Sequence, residues 1–208
     1  MIYELRTYTL KPMTTGKFEE EFEKSLVVRQ KYSRLAGFWH TEIGPLNQVV
    51  HLWPYEDLNT RAAARSAANR DPSGLWPPKV AELEVDMQND ILTPAPFMRP
   101  LTGELQALGN VYELRIYTYQ TGSLSKVVDL WAEALPYREK FSPLAGAWTS
   151  EIGGLNRFYH LWPYRDLNDR ERIREASFKD PHWPAPTREW LVRMENKILV
   201  PASFSPLH

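Results

Sequence analysis

The chain has 208 residues, with 25 Lys and Arg against 26 Asp and Glu, so its formal net charge is -1. At 43% hydrophobic, 12% aromatic and 25% charged residues it is too apolar to stay disordered, and it lacks the global field that draws nucleic acid or anionic lipid. It has no cysteine, which excludes disulfides, thiolate metal sites and cysteine nucleophiles. No apolar run reaches the roughly 18 residues of a membrane span, and the alternating start Met1-Ile-Tyr-Glu-Leu-Arg is unlike a signal peptide. The expectation is a cytoplasmic chain with no nucleic-acid or membrane partner, long enough for two domains.

The sequence repeats itself. Tyr3-Glu-Leu-Arg-Thr-Tyr-Thr9 returns as Tyr112-Glu-Leu-Arg-Ile-Tyr-Thr118, and His51-Leu-Trp-Pro-Tyr55 as His160-Leu-Trp-Pro-Tyr164, both at an offset of 109 (3 to 112, 51 to 160). Leu35-Ala-Gly-Phe-Trp39 and Leu144-Ala-Gly-Ala-Trp148 keep that offset. After Asp71-Pro72 and Asp180-Pro181 the second copy loses two residues, so Met87 aligns with Met194 at 107. A period this long makes each copy a domain, expected at 1–101 and 110–208, joined across Pro100, Gly103 and Gly109.

Ile2–Leu10, rich in Tyr and Thr and stopped by Pro12, predicts an opening strand. A helix follows, capped by the hydroxyl of Thr14 or Thr15, with Phe18, Phe22 and Leu26 along one stripe. Its second copy keeps Val127, Trp131 and Leu135, but Pro136 is expected to kink or end it a turn early. Gly37–Ile43 and Asn47–Trp53 predict a hairpin, with Trp-Pro-Tyr as the strand exit. Asp57 or Asn59 caps a second helix to about Arg70, a short helix starts near Pro77 or Pro78, and Val85–Leu92 closes the copy as a strand.

The order β-α-β-β-α-β is the ferredoxin-like unit, an α+β fold with helices on one face of an antiparallel sheet. The bare face needs cover. The two halves are expected to pack face to face as a pseudo-dimer of the dimeric α/β-barrel type; the competing arrangement pairs halves of different chains into a homo-oligomer.

The Tyr-Glu-Leu-Arg openings, the His-Leu-Trp-Pro-Tyr-x-Asp-Leu-Asn segments and the closing Ile-Leu-x-Pro-Ala-x-Phe resemble the NIPSNAP family. The resemblance covers nearly the whole chain, twice. It implies a dimeric α/β-barrel with a pocket between sheet and helices, in a superfamily that includes cofactor-independent monooxygenases, lactone isomerases and haem-binding peroxidase relatives. It implies no reaction.

Phosphate loops, dinucleotide fingerprints, zinc-protease helices, calcium loops and serine elbows are all missing. No metal and no cofactor is expected, although superfamily analogy would allow haem on a histidine. On a strand from Asn47, alternation puts Asn47, Val49, His51, Trp53 and Tyr55 on one face, matched by Asn156, Phe158, His160, Trp162 and Tyr164. His51 and His160 are candidate bases, or else half-buried histidines bonded to backbone carbonyls. Tyr8 and Tyr117 are candidate proton donors, and Arg6 and Arg115 candidate anion holders, or else partners of Glu4 and Glu113 in solvated ion pairs. Trp39, Trp148, Trp53 and Trp162 line a pocket or fill the core. Glu42 and Glu151 are expected in solvent, as are the runs Glu19–Glu21 and Arg170–Arg172. These residues fit a small-molecule binder acting as a cofactor-free oxygenase or isomerase; the alternative is a non-catalytic binding or assembly module.

Overall fold

A computed structural model describes all residues, 1–208. The first half contains β1 (Ile2–Leu10), α1 (Thr15–Arg29), β2 (Gly37–Ile43), β3 (Gln48–Tyr55), α2 (Leu58–Asn69) and β4 (Glu84–Pro94). The second repeats the order as β5 (Val111–Tyr119), α3 (Leu124–Glu139), β6 (Gly146–Ile152), β7 (Arg157–Tyr164), α4 (Leu167–Ser177) and β8 (Leu191–Pro201). Each half is the expected ferredoxin-like unit.

The eight strands form one closed barrel, β1-β3-β2-β8-β5-β7-β6-β4, with every pairing antiparallel. The bare sheet faces do turn toward each other across the interior. Edge pairing adds to this: β2 bonds to β8 through Trp39–Ile43, and β4 to β6 through Ile91–Pro94. Closure removes the open edges at both seams. The chain thus completes within itself the barrel that two copies would otherwise build.

The period of two sorts each strand's side chains. Tyr3, Leu5, Trp39, Val50, Leu52 and Leu92 point inward and meet their counterparts Tyr112, Leu114, Trp148, Tyr159, Leu161 and Leu199 in one shared core. Gly37 and Gly146 are required here, because an added Cβ would lie 2.0 Å and 2.1 Å from the ring of Trp39 and Trp148. The outward faces are covered by helices in two separate clusters, one around Phe18, Phe22, Leu26, Val49 and Trp53, the other around Val127, Trp131, Leu135, Phe158 and Trp162.

The closing motifs are exchanged. Ala95 and Phe97, after β4, join the outer cluster of the second half, while Ala202 and Phe204, after β8, join that of the first. Ala95 N–H donates to Ala147 O, and Ala202 N–H to Phe38 O. Each helix layer is therefore finished by the other half's tail.

Several local expectations are corrected. Thr14 precedes α1, but its hydroxyl donates back to Lys11 O at 2.7 Å and caps nothing. Asp57 does cap α2, accepting from Thr60 N–H. Helix α3 continues through Pro136 to Glu139; the proline and Ala132, whose carbonyl it leaves free, are both exposed, so water can serve that carbonyl. Trp53-Pro54-Tyr55 stays in β3, and Pro54 is tolerated because β2 pairs only as far as Leu52. Asn47 and Asn156 are not strand residues: both take a left-handed turn conformation at φ 56°. The short helix is a single 3-10 turn, Ala81–Leu83, later than the prolines suggested.

Candidate functional site

On β1 the outward residues are Glu4, Arg6 and Tyr8, and on the neighbouring β3 they are His51, Trp53 and Tyr55. Together with α1, α2 and the segment before β4 they enclose a cavity of about 310 Å³, lined by Arg6, Tyr8, Arg29, His51, Trp53 and Arg65, with Trp76 and Glu84 further out. The second half has a cavity of about 230 Å³ in the corresponding place, lined by Arg115, Tyr117, Arg138, His160, Trp162 and Arg174, with Trp183. Ligand pockets favour such apolar-walled clefts with a few convergent polar groups.

The histidines are the middle of each wall. Trp53 donates its indole N–H to His51 Nδ1 at 2.6 Å, and Trp162 does the same to His160 Nδ1 at 2.7 Å. That fixes the tautomer, with the ring proton on Nε2. Burial first, and then the charges of Arg6, Arg65 and Arg29, push His51 well below its ordinary pKa. Burial and Arg115, Arg174 and Arg138 do likewise for His160. Tyr8 packs edge-on to His51 with ring centres 4.9 Å apart, and Nε2 of both histidines is enclosed without a partner. Each imidazole is a buried wall whose Nδ1 is taken up by a tryptophan N–H, which corrects the half-buried, carbonyl-bonded histidine of the sequence reading. It also fails to fit a haem, which needs an open nitrogen.

The charges have a common plan. Glu4 is fully buried, and its Oε1 accepts from Arg6 Nη1 at 2.8 Å and Arg61 Nη2 at 2.6 Å, with Arg65 Nη1 at 3.6 Å. Glu113 is equally buried, with Arg115 at 3.3 Å, Arg170 at 2.6 Å and Arg174 at 3.8 Å. Burial raises the pKa of each carboxyl, but the hydrogen bond from Arg61 or Arg170 and the surrounding guanidinium charges outweigh it and hold both below the ordinary value. The pairs are thus buried rather than solvated, and Arg170 turns inward to Glu113 rather than out to solvent.

A fourth arginine completes each cluster from the first helix. Arg29 is 2% exposed; its Nη2 donates to Tyr55 OH at 2.7 Å, it stacks over Trp53 at 4.7 Å, and its Nη1 has no partner. Arg138 stacks over Trp162 at 4.3 Å and donates to Ser142 Oγ and Tyr164 OH. Burial pushes both guanidinium pKa values down without discharging them. Arg65 and Arg174 line the cavities, make no hydrogen bond and remain partly open to solvent. Burial, and next the charge of Arg115, push the Arg174 guanidinium down. Three guanidinium groups therefore lie within 4 Å of one carboxylate in each half, and a fourth is held at the cavity wall by a tyrosine hydroxyl.

The sequence-read residues divide between two places. Arg6, Tyr8, His51 and Trp53 meet in the first cavity, and Arg115, Tyr117, His160 and Trp162 in the second. Trp39 and Trp148 do not; inward alternation puts them in the barrel core. Arg6 Nε donates to the Tyr8 hydroxyl oxygen, leaving that hydroxyl's own proton free to donate. Burial raises the pKa of Tyr8 and Tyr117, so both stay protonated. Arg29, Arg65, Arg138 and Arg174 were missed. The available signal was a cation in register with the Phe18–Phe22–Leu26 stripe, recurring at Arg138 beneath Val127–Trp131–Leu135.

A family model described as NIPSNAP matches residues 3–99 and again 112–206. The human protein described as Protein NipSnap homolog 3B is 32% identical over 213 residues, which cover 99% of this chain and 85% of that one. A Protein NipSnap homolog from Dictyostelium discoideum is 32% identical over 209 residues, 98% of this chain and 88% of its own. Among solved structures, a Lactobacillus acidophilus protein provisionally described as a monooxygenase superposes over 96% of this chain and 93% of its own, with a TM-score of 0.68. At 13% identity that likeness shows the fold alone.

Proposed function

The chain belongs to the NIPSNAP family, and on that premise we propose that its two helix-side cavities each bind a small organic anion with a flat apolar body. The observation that carries this reading is the excess of guanidinium in each cluster, three arginines within 4 Å of one carboxylate and a fourth at the cavity wall, in a chain whose total charge is close to neutral. Each carboxylate is shared among several guanidinium charges, and an anion at Arg65 or Arg174, whose side chains make no hydrogen bond, supplies the counter-charge that the protein gives only in part. Arg6 or Arg115 adds a second positive charge beside it, and Tyr8 offers a hydroxyl proton. Trp53 with Trp76, and Trp162 with Trp183, supply aromatic walls for the ligand body. A planar carboxylate suits this geometry because guanidinium can engage it through two parallel hydrogen bonds.

A comparison of benzoate with benzamide tests the charge requirement at constant shape. Thermal unfolding should shift upward with benzoate in a concentration-dependent way and stay in place with benzamide. Equal shifts with both, or none with benzoate, would overturn the reading.

A further inference from the structure

The two cavities share their arginines and histidine but not their outer walls. Glu84 lines the first cavity and has Leu191 as its counterpart; Asn69 is replaced by Phe178, Ala81 by Arg188 and Phe22 by Trp131. The first lining thus contains three arginines and one carboxylate, the second four arginines and none.

We propose that the halves have separated in specificity: the first cavity takes an anion that also carries an ammonium group away from its anionic head, and the second takes an anion whose body is wholly apolar. This deepens the anion-binding reading and rests on it. Glu84 is half-buried; its backbone N–H donates to Ala81 O, while its carboxylate forms no ion pair or hydrogen bond within the chain. Burial raises its pKa, and the nearby Arg6 charge is the one influence that lowers it. A cationic ligand group at that wall gains a partner. In the second cavity the same group meets Leu191 and Phe178, where its hydration is lost without replacement, and the like charge of Arg188. The broader aromatic surface of Trp131, Phe178 and Tyr119 instead favours an alkyl or aryl body.

Calorimetric titration with 4-(aminomethyl)benzoate and 4-ethylbenzoate, which are nearly equal in shape, reads this directly, with benzoate as the common-head control. Benzoate should fill both cavities, and each substituted probe should saturate only one, without competing with the other. Glu84→Leu should weaken 4-(aminomethyl)benzoate by about tenfold or more while leaving the affinity of 4-ethylbenzoate for the second cavity unchanged. Leu191→Glu should create a second site for the ammonium probe. Two substituted probes competing for both cavities with equal affinity, with benzoate still bound, would overturn the divergence and leave the anion reading standing. A chain that binds no benzoate would remove both.

Discussion

The two faces of the same strands do different work. Inside the barrel, side chains from both halves leave a void of only about 10 Å³ among Leu5, Trp39, Trp148 and Leu161, too small to hold more than a single water. Outside, beneath the helices, the same strands leave cavities of about 310 and 230 Å³ and bury arginines that lack sufficient counterions. A residue's place in the alternation, one position apart, decides whether it serves cohesion or recognition. Trp39 and Trp53 are both fully buried tryptophans, yet one fills the shared interior and the other walls a cavity.

Truncating the interior should therefore have the largest effect on stability and the smallest direct effect on ligand. Trp39→Ala or Trp148→Ala should each cost about 3–5 kcal/mol of unfolding free energy, measured by urea denaturation. Benzoate stabilisation of whatever folded protein remains should be preserved. Loss of binding with intact stability would show that the inner face belongs to the site after all.

The outer layer should instead reveal itself through pH. His51 and His160 are held neutral when folded, with pKa values pushed well below the unfolded value of about 6.5. As pH falls below that unfolded value the unfolded chain takes up protons that the folded chain refuses, so stability declines toward acid. Each histidine contributes about 1.4 kcal/mol per pH unit within that window. His40 acts in the opposite sense: its hydrogen bond to Glu19 raises its pKa, so it contributes stability at low pH that is lost as pH rises through the folded value. Comparing wild type with a His51→Gln, His160→Gln double variant cancels that term. Urea midpoints between pH 5 and 6.5 should fall less steeply for the variant, and an unchanged slope would mean that the imidazoles protonate in place.

Much of the fold could be read because the duplication supplied two statements of every element, and the strand period of two is robust to local noise. The face-to-face barrel was legible too, but the strand pairing at its seams, β2–β8 and β4–β6, was not, since it joins residues from opposite halves and no local pattern records it. Exchange of Phe97 and Phe204 between halves escaped for the same reason. The strand-borne part of the site was legible: Arg6, Tyr8, His51 and Trp53 follow from alternation alone. Arg29 and Arg65 come from helices whose orientation over the sheet is set by packing, and a single arginine on an apolar stripe looks like a snorkelling surface residue. Trp39 stayed open between pocket and core because alternation orders the residues of a strand without saying which face is covered by helices.

The smallest expected effect separates the two outer layers from each other. Arg29 satisfies one N–H group through Tyr55 and leaves Nη1 unpaired, whereas Arg138 also donates to Ser142. Replacing either with Met keeps an unbranched apolar side chain against the tryptophans and removes the charge. In the first half this trades one hydrogen bond for relief of an unpaired buried cation, so Arg29→Met should leave the unfolding free energy within about 0.5 kcal/mol of wild type. In the second half the serine hydroxyl and Tyr164 lose their donor, and Arg138→Met should cost about 1–2 kcal/mol. Both variants should weaken benzoate in their own cavity only, because each removes positive charge from one cluster. An Arg29→Met protein that is much less stable yet binds benzoate fully would make that arginine a structural strut, and the division of labour between the two faces of the strands would fail at its most buried cation.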